Sequence, residues 1–111
     1  MAKRARGSTT RPGQRAMPHA HPGMEERWAV IEGRAAFRIG DEERECGPGE
    51  SVIAPAGVPH LAWNPGEGRV VLRIEMRPAL RWRAFVERLI ANGGVPDRGM
   101  LEEFGQEIAP P

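Results

Sequence analysis

Glycine and proline interrupt this chain roughly every ten residues once it leaves its N-terminal stretch, a spacing that suits short strands joined by turns. The breaks fall at Pro22-Gly23, Gly33, Gly40-Asp41, Pro48-Gly49, Pro55–Gly57 and Pro65–Gly68. Between them the apolar residues alternate. Ala35, Phe37 and Ile39 share one face against Arg34 and Arg38; Val70, Leu72, Ile74 and Met76 share one face against Arg73 and Glu75. Such alternation predicts strands with one face buried, hence an antiparallel β sandwich or barrel. The run 27–32 carries apolar residues on both parities, Trp28 and Val30 against Ala29 and Ile31, and predicts a strand covered on both sides. Gly40-Asp41 suits a two-residue hairpin, and Pro48-Gly49 a turn with glycine at its positive-φ position.

The pattern changes after Pro78. Leu80, Phe85, Val86, Leu89 and Ile90 recur at helical spacing, and Asn92-Gly93-Gly94 reads as a stop, predicting an amphipathic helix over 80–92 packed on the outside of the sheet. A second, shorter helix is expected from Asp97, with Met100, Leu101 and Phe104 inward.

At 111 residues the chain has room for one core. A net charge of +1 leaves no footprint for nucleic acid on the body of the protein. Lys3, Arg4, Arg6, Arg11 and Arg15 precede any acidic residue, and segment 1–12 is expected to be a basic, solvated tail. The single cysteine, Cys46, excludes an internal disulfide and suits a reducing compartment such as the cytoplasm. Neither a membrane-spanning run nor a signal peptide is legible.

All three histidines stand in two turn-flanked stretches. Residues 13–33 read G-x5-H-x-H-x4-E-x6-G, and residues 49–64 read G-x5-P-x-G-x2-H-x3-N. On a strand, His19 and His21 would project from the same face, and Glu26 shares its parity with Trp28 and Val30. If the sheet rolls up, His60 joins them, and three imidazoles with one carboxylate form a set that first-row divalent metals accept. Glu25 is the competing carboxylate, expected at the rim. Asn64 shares parity with His60, but an Asn before Pro-Gly is more often a turn former. Trp28, Val30, Phe37, Ile39, Leu72, Ile74 and Met76 would form the core and, secondarily, the wall of an apolar substrate pocket. The catalytic residue is unknown; Glu32, of the same parity as Glu26, is the remaining inward acid.

The phrases HAHPGMEERWAVIEG and GPGESVIAPAGVPHLAWNPG resemble the two motifs of the cupin superfamily, specifically small single-domain cupins of the "cupin 2" type, over residues 13–78. The resemblance implies a mainly β, antiparallel jelly-roll barrel of six to eight strands; residues 79–111, beyond it, are expected as a helical extension from their apolar spacing. It implies His19, His21, Glu26 and His60 as ligands of one divalent metal. Cupins usually have strands before the first motif, so the barrel is expected to be incomplete at its N-terminus and the chain to form a homodimer that covers the open edge. The function expected first is a metal-dependent enzyme, a dioxygenase-type oxidoreductase acting on a small, largely apolar or aromatic molecule. Fe(II) is the favoured metal, with Mn, Ni or Zn as alternatives, and isomerase, cyclase or lyase chemistry fits the same site. The alternative is a metal-containing binding or sensor module without turnover. A third reading makes the metal structural and the basic tail a tether to nucleic acid.

Overall fold

The computed structural model describes residues 3–10 and 18–111. The described residues form strands β1 (Lys3–Thr10), β2 (Glu25–Glu32), β3 (Ala35–Ile39), β4 (Glu42–Cys46), β5 (Ser51–Ala54), β6 (His60–Trp63) and β7 (Val70–Arg77), followed by helices α1 (Trp82–Ala91) and α2 (Arg98–Glu103). The strands make two antiparallel sheets, one in the order β1-β7-β2-β5 and the other β4-β3-β6. This is the expected mainly β architecture with two short C-terminal helices.

The inward parities of the two sheets build the core. Trp28 lies opposite Ile74 and Val52, and Val30 opposite Leu72. From the second sheet come Ala35, Phe37 and Cys46, and the whole set packs as one cluster with Val70, Ala54 and the partly buried Ile39, Ala62 and Ile74. Burial of such side chains contributes roughly 1.5–3 kcal/mol apiece, and it fixes register because a one-residue slip would turn each of them to solvent. The predicted turns are in place: β3 and β4 join through the two residues Gly40-Asp41, and Gly49 has φ 87°.

Three expectations need correction. Strand β2 is covered on one face only: Trp28 and Val30 are buried, while Ile31 on the other parity is 47% exposed. Its outer neighbours, among them Arg27, Arg73 and Ile53, are also solvent-facing, so the extra apolar residues mark an open sheet face. Segment 3–10, expected as part of a solvated tail, pairs as β1 along β7. Composition reports how side chains prefer to be solvated, whereas an edge strand is held by backbone hydrogen bonds that almost any sequence can make. The remaining residues of the expected tail, 1, 2, 11 and 12, lie outside the described residues.

The third correction concerns the helices. Leu80 precedes α1, and Ile90 points outward at 72% exposure; Leu89 and Ile90 are adjacent and a helix turns about 100° between them, so both cannot face inward. The apolar residues of the helices gather into a second cluster drawn entirely from the C-terminal segment. Phe85, Met100, Phe104 and Ile108 form its centre, with Trp82, Leu89 and Leu101 around them. Helix α2 starts where expected, the Asp97 carboxylate accepting from Met100 N at 2.9 Å.

Gly33, between β2 and β3, has φ 80°, and a Cβ there would lie 2.1 Å from the Arg69 carbonyl oxygen; at Gly49 nothing lies within 4 Å of one. Gly49→Ala should therefore cost about 1–2 kcal/mol, the left-handed backbone alone, and Gly33→Ala clearly more, because backbone must also move. Urea unfolding of the two variants checks this; equal losses would refute the close-approach account.

Candidate metal centre

The first histidine segment is held from two sides. His19 and His60 exchange backbone hydrogen bonds, His19 N to His60 O at 3.1 Å and His60 N to His19 O at 2.8 Å, which places their side chains next to each other on one face. Ala20 pairs in the same way with Ala109, from the C-terminal segment. The stretch expected to be a strand is thus a pair of isolated bridges. Pro22-Gly23 turns the chain, and the His21 carbonyl accepts from Gly57 N at 2.9 Å, tying the turn before His60 to the turn after His21.

Glu26 comes from the opposite sheet. On β2 it lies between Ala54 of β5 and Met76 of β7, both fully buried. The centre therefore spans the sandwich, with imidazoles on one layer and the carboxylate on the other. The ring centroids of His19, His21 and His60 form a near-equilateral triangle with separations of 4.9, 4.7 and 4.8 Å. One ligand atom from each of the three and from Glu26 can be chosen so that all lie within 4.8 Å of one another. His21, His60 and Glu26 are buried, and His19 is half-buried; the side toward His19 is the wet one.

The hydrogen bonds around the rings fix their chemistry. His21 Nδ1 lies 2.6 Å from Glu107 O, and His60 Nδ1 lies 2.9 Å from Val58 O. A carbonyl oxygen only accepts, so both Nδ1 atoms donate, and in a neutral imidazole Nε2 is then a lone pair. Both Nε2 atoms face the same Glu26 oxygen, Oε1, at 2.7 and 3.1 Å. Two lone pairs aimed at a buried carboxylate repel unless a cation, a proton or a metal ion, stands among them. The donor set, its burial and its outward Nδ1–H bonds fit a divalent metal.

Burial raises the pKa of the Glu26 carboxyl, but when the two rings are protonated their Nε2–H groups donate to it, and these hydrogen bonds with the ring charges outweigh burial and bring it down to about 2. Glu25, the competing carboxylate, pairs with Arg27 at 3.0 Å in partly exposed surroundings. Asn64 is buried and serves its turn, donating to Gly68 O at 2.7 Å and accepting from Gly66 N at 3.0 Å. Glu32 does not face the centre. The β2–β7 pairing shifts register between Val30 and Glu32, and this bulge reverses parity, leaving Glu32 exposed and 3.7 Å from Arg69. Of the expected pocket residues, Trp28, Val30, Phe37, Leu72 and Met76 are buried, and Ile39 and Ile74 are partly buried against the same core. Trp28 also meets the His60 ring, 5.2 Å between centroids. Sequence reasoning missed two contributors. Glu107 acts through its backbone carbonyl, which no residue type announces, and Trp82 places its ring 5.1 Å from that of His21.

With the geometry in place, comparison with known proteins gives a consistent answer. The cupin domain family matches residues 8–75. No curated protein matches the chain. Among solved structures, a Thermus thermophilus protein is similar at 31% identity and a TM-score of 0.61, over 63% of this chain and 67% of that one. A Klebsiella pneumoniae protein with a double-stranded β-helix domain is similar at 28% identity and a TM-score of 0.62, over 67% of this chain and 65% of that one. The DMSP lyase DddQ of Ruegeria pomeroyi is similar at 28% identity and a TM-score of 0.59, over 67% of this chain but 37% of the lyase. The chain thus spans about two thirds of the first two proteins' length and little more than a third of the lyase's.

A pH prediction follows from Glu26. Its pKa is lower in the folded protein than the ordinary 4.5, so between these values the unfolded chain binds more protons. While the two rings are protonated, the contribution of Glu26 to stability is full above pH 4.5 and is lost as pH falls toward 2. In metal-free protein, Glu26→Gln should flatten the pH dependence of urea unfolding across that window. A wild-type slope retained by the variant would assign the acid sensitivity elsewhere.

Proposed function

The chain belongs to the cupin domain family, and from that premise we propose that His19, His21, Glu26 and His60 hold one divalent metal ion at which a small molecule is bound and transformed. The observation that carries this reading is the convergence of two Nδ1-anchored imidazoles on a single buried carboxylate oxygen, with the third imidazole at the half-exposed side. Four protein ligands on an ion that takes six leave adjacent positions for exogenous oxygen donors. Once bound, such an ion supplies Lewis acidity or, as Fe(II), access to dioxygen chemistry. The residues themselves bind and exclude water: Glu26 and the histidines hold the ion, Trp28 and Phe37 keep the inner side dry, and His19 marks the side from which a ligand enters.

The preferred reaction is dioxygenase-type oxidation of a small, largely apolar or aromatic molecule. The resemblance to a protein named as a lyase keeps bond cleavage without net oxidation as a variant of the same proposal. One observation favours a second reading, a metal-containing binding or sensor module: the register shift that turns Glu32 outward takes away the one further acid expected at the centre. Tight binding that raises the melting temperature without consuming the ligand would select that reading.

We further propose a homodimer built on the exposed face of the four-stranded sheet, where Ile31 and Ile53 are 47% and 42% exposed. Light scattering after size exclusion checks this, and a clean monomer at micromolar concentration would refute it. The buried free thiol of Cys46 suits a reducing setting such as the cytoplasm. No helix of the described residues is long and apolar enough to cross a membrane.

The decisive experiment is reconstitution with Fe(II), Mn(II), Ni(II) or Zn(II), followed by oxygen uptake against a panel of phenols and diketones. Silence with every metal would retire the oxygenase version. By metal analysis, His60→Ala should abolish stoichiometric loading, Glu26→Gln should weaken it and Glu25→Gln should leave it unchanged. The reverse order for the two glutamates would reassign the carboxylate.

A further inference from the structure

The family match ends at residue 75, yet the centre is gripped by residues far beyond it. His21 Nδ1 donates to Glu107 O at 2.6 Å. Ala20 and Ala109 exchange backbone hydrogen bonds of 2.9 and 2.8 Å, and Gly23 N donates to Gln106 O at 2.8 Å. The carboxylate of Glu107 in turn accepts from Arg81 N at 3.1 Å, where the chain enters α1. One buried residue thus joins both ends of the C-terminal segment to the ring of His21. Trp82 stands edge-on to the same ring, and a Cβ on Gly23 would meet Gln106 Oε1 and Leu80 Cδ1, each at 2.9 Å. The segment has its own apolar cluster of Phe85, Met100, Phe104 and Ile108, so it can dock as a unit.

We propose that residues 81–109 form a positioning cap for the metal centre, whose docking sets the His21 ring and which metal loading in turn holds in place. This inference rests on the metal reading above. A ring that can swing about its χ2 torsion presents Nε2 to the ion only part of the time. The Glu107 carbonyl removes that freedom and selects the tautomer with Nε2 as the ligand atom. Linkage makes the effect mutual: whatever factor the docked cap adds to metal affinity, metal adds to the docking equilibrium of the cap.

The test uses the full chain with Zn(II) or Mn(II). Amide hydrogen exchange of the wild type should slow on loading at Ala20, Gly23 and Ala109, and across 104–109. Glu107→Ala, which cuts the link to Arg81 N, should weaken metal affinity by about ten-fold in competition with a chromophoric chelator, the low end for ligand-orienting groups. Glu107→Gln, whose amide oxygen can still accept from Arg81 N, should keep near wild-type affinity. A wild type that binds metal while exchange over 104–109 stays unchanged would overturn the cap and leave the metal centre standing, and this outcome does not depend on the variants folding. A wild type that binds neither metal would overturn both readings.

Discussion

A carboxylate at 6% exposure, set between two sheets and flanked along its own sheet by Ala54 and Met76, has to be compensated where it stands. Among the described residues, the Nε2 atoms of His21 and His60 lie within hydrogen-bond range of Glu26. Each of those rings is in turn pinned at its far nitrogen by a main-chain carbonyl. The demand of one buried charge thus propagates outward: it dictates the ring orientations, then the loops that carry Val58 and Glu107, then the approach of the two histidine segments. Replacing such a buried polar cluster as a whole by well-packed apolar residues is often neutral or stabilising, whereas removing one member alone strands the others.

Much of this was legible in the sequence because parity on strands is a strict rule. Alternation separated Glu26 from Glu25, set Trp28 and Val30 inward, and grouped Phe37, Leu72 and Met76 in the interior. The turns announced themselves through glycine and proline. Failures came where the period breaks or where backbone acts. The register shift after Val30 sent Glu32 outward, and no side-chain pattern signals such a bulge. Strand β1 is held by main-chain pairing that its composition does not advertise. The Glu107 carbonyl belongs to a residue whose side chain gives no hint of a role 86 positions away at His21. Ile31 misled by suggesting cover on both sides of β2, when it belongs to an open face.

The similar structures match about two thirds of this chain, which corresponds to about two thirds of the first two proteins and 37% of the lyase. A common barrel can carry unrelated chemistries, and what distinguishes one member from another lies at the rim and in the extensions. In this chain the extension does not lie across a sheet. It closes upon itself around Phe85 and Phe104 and meets the barrel at the histidine segment, the place where it can alter the behaviour of the centre.

The clasp between His19 and His60 also bears on how the protein comes to exist. The intervening stretch holds β2 to β5, so His19, His21 and Glu26 are neighbours in sequence and only His60 has to be brought to them across a long loop. Loop closure must be completed before His60 arrives. The contact that completes the cluster is thus the one made at greatest sequence distance, and it waits on assembly of the strands between.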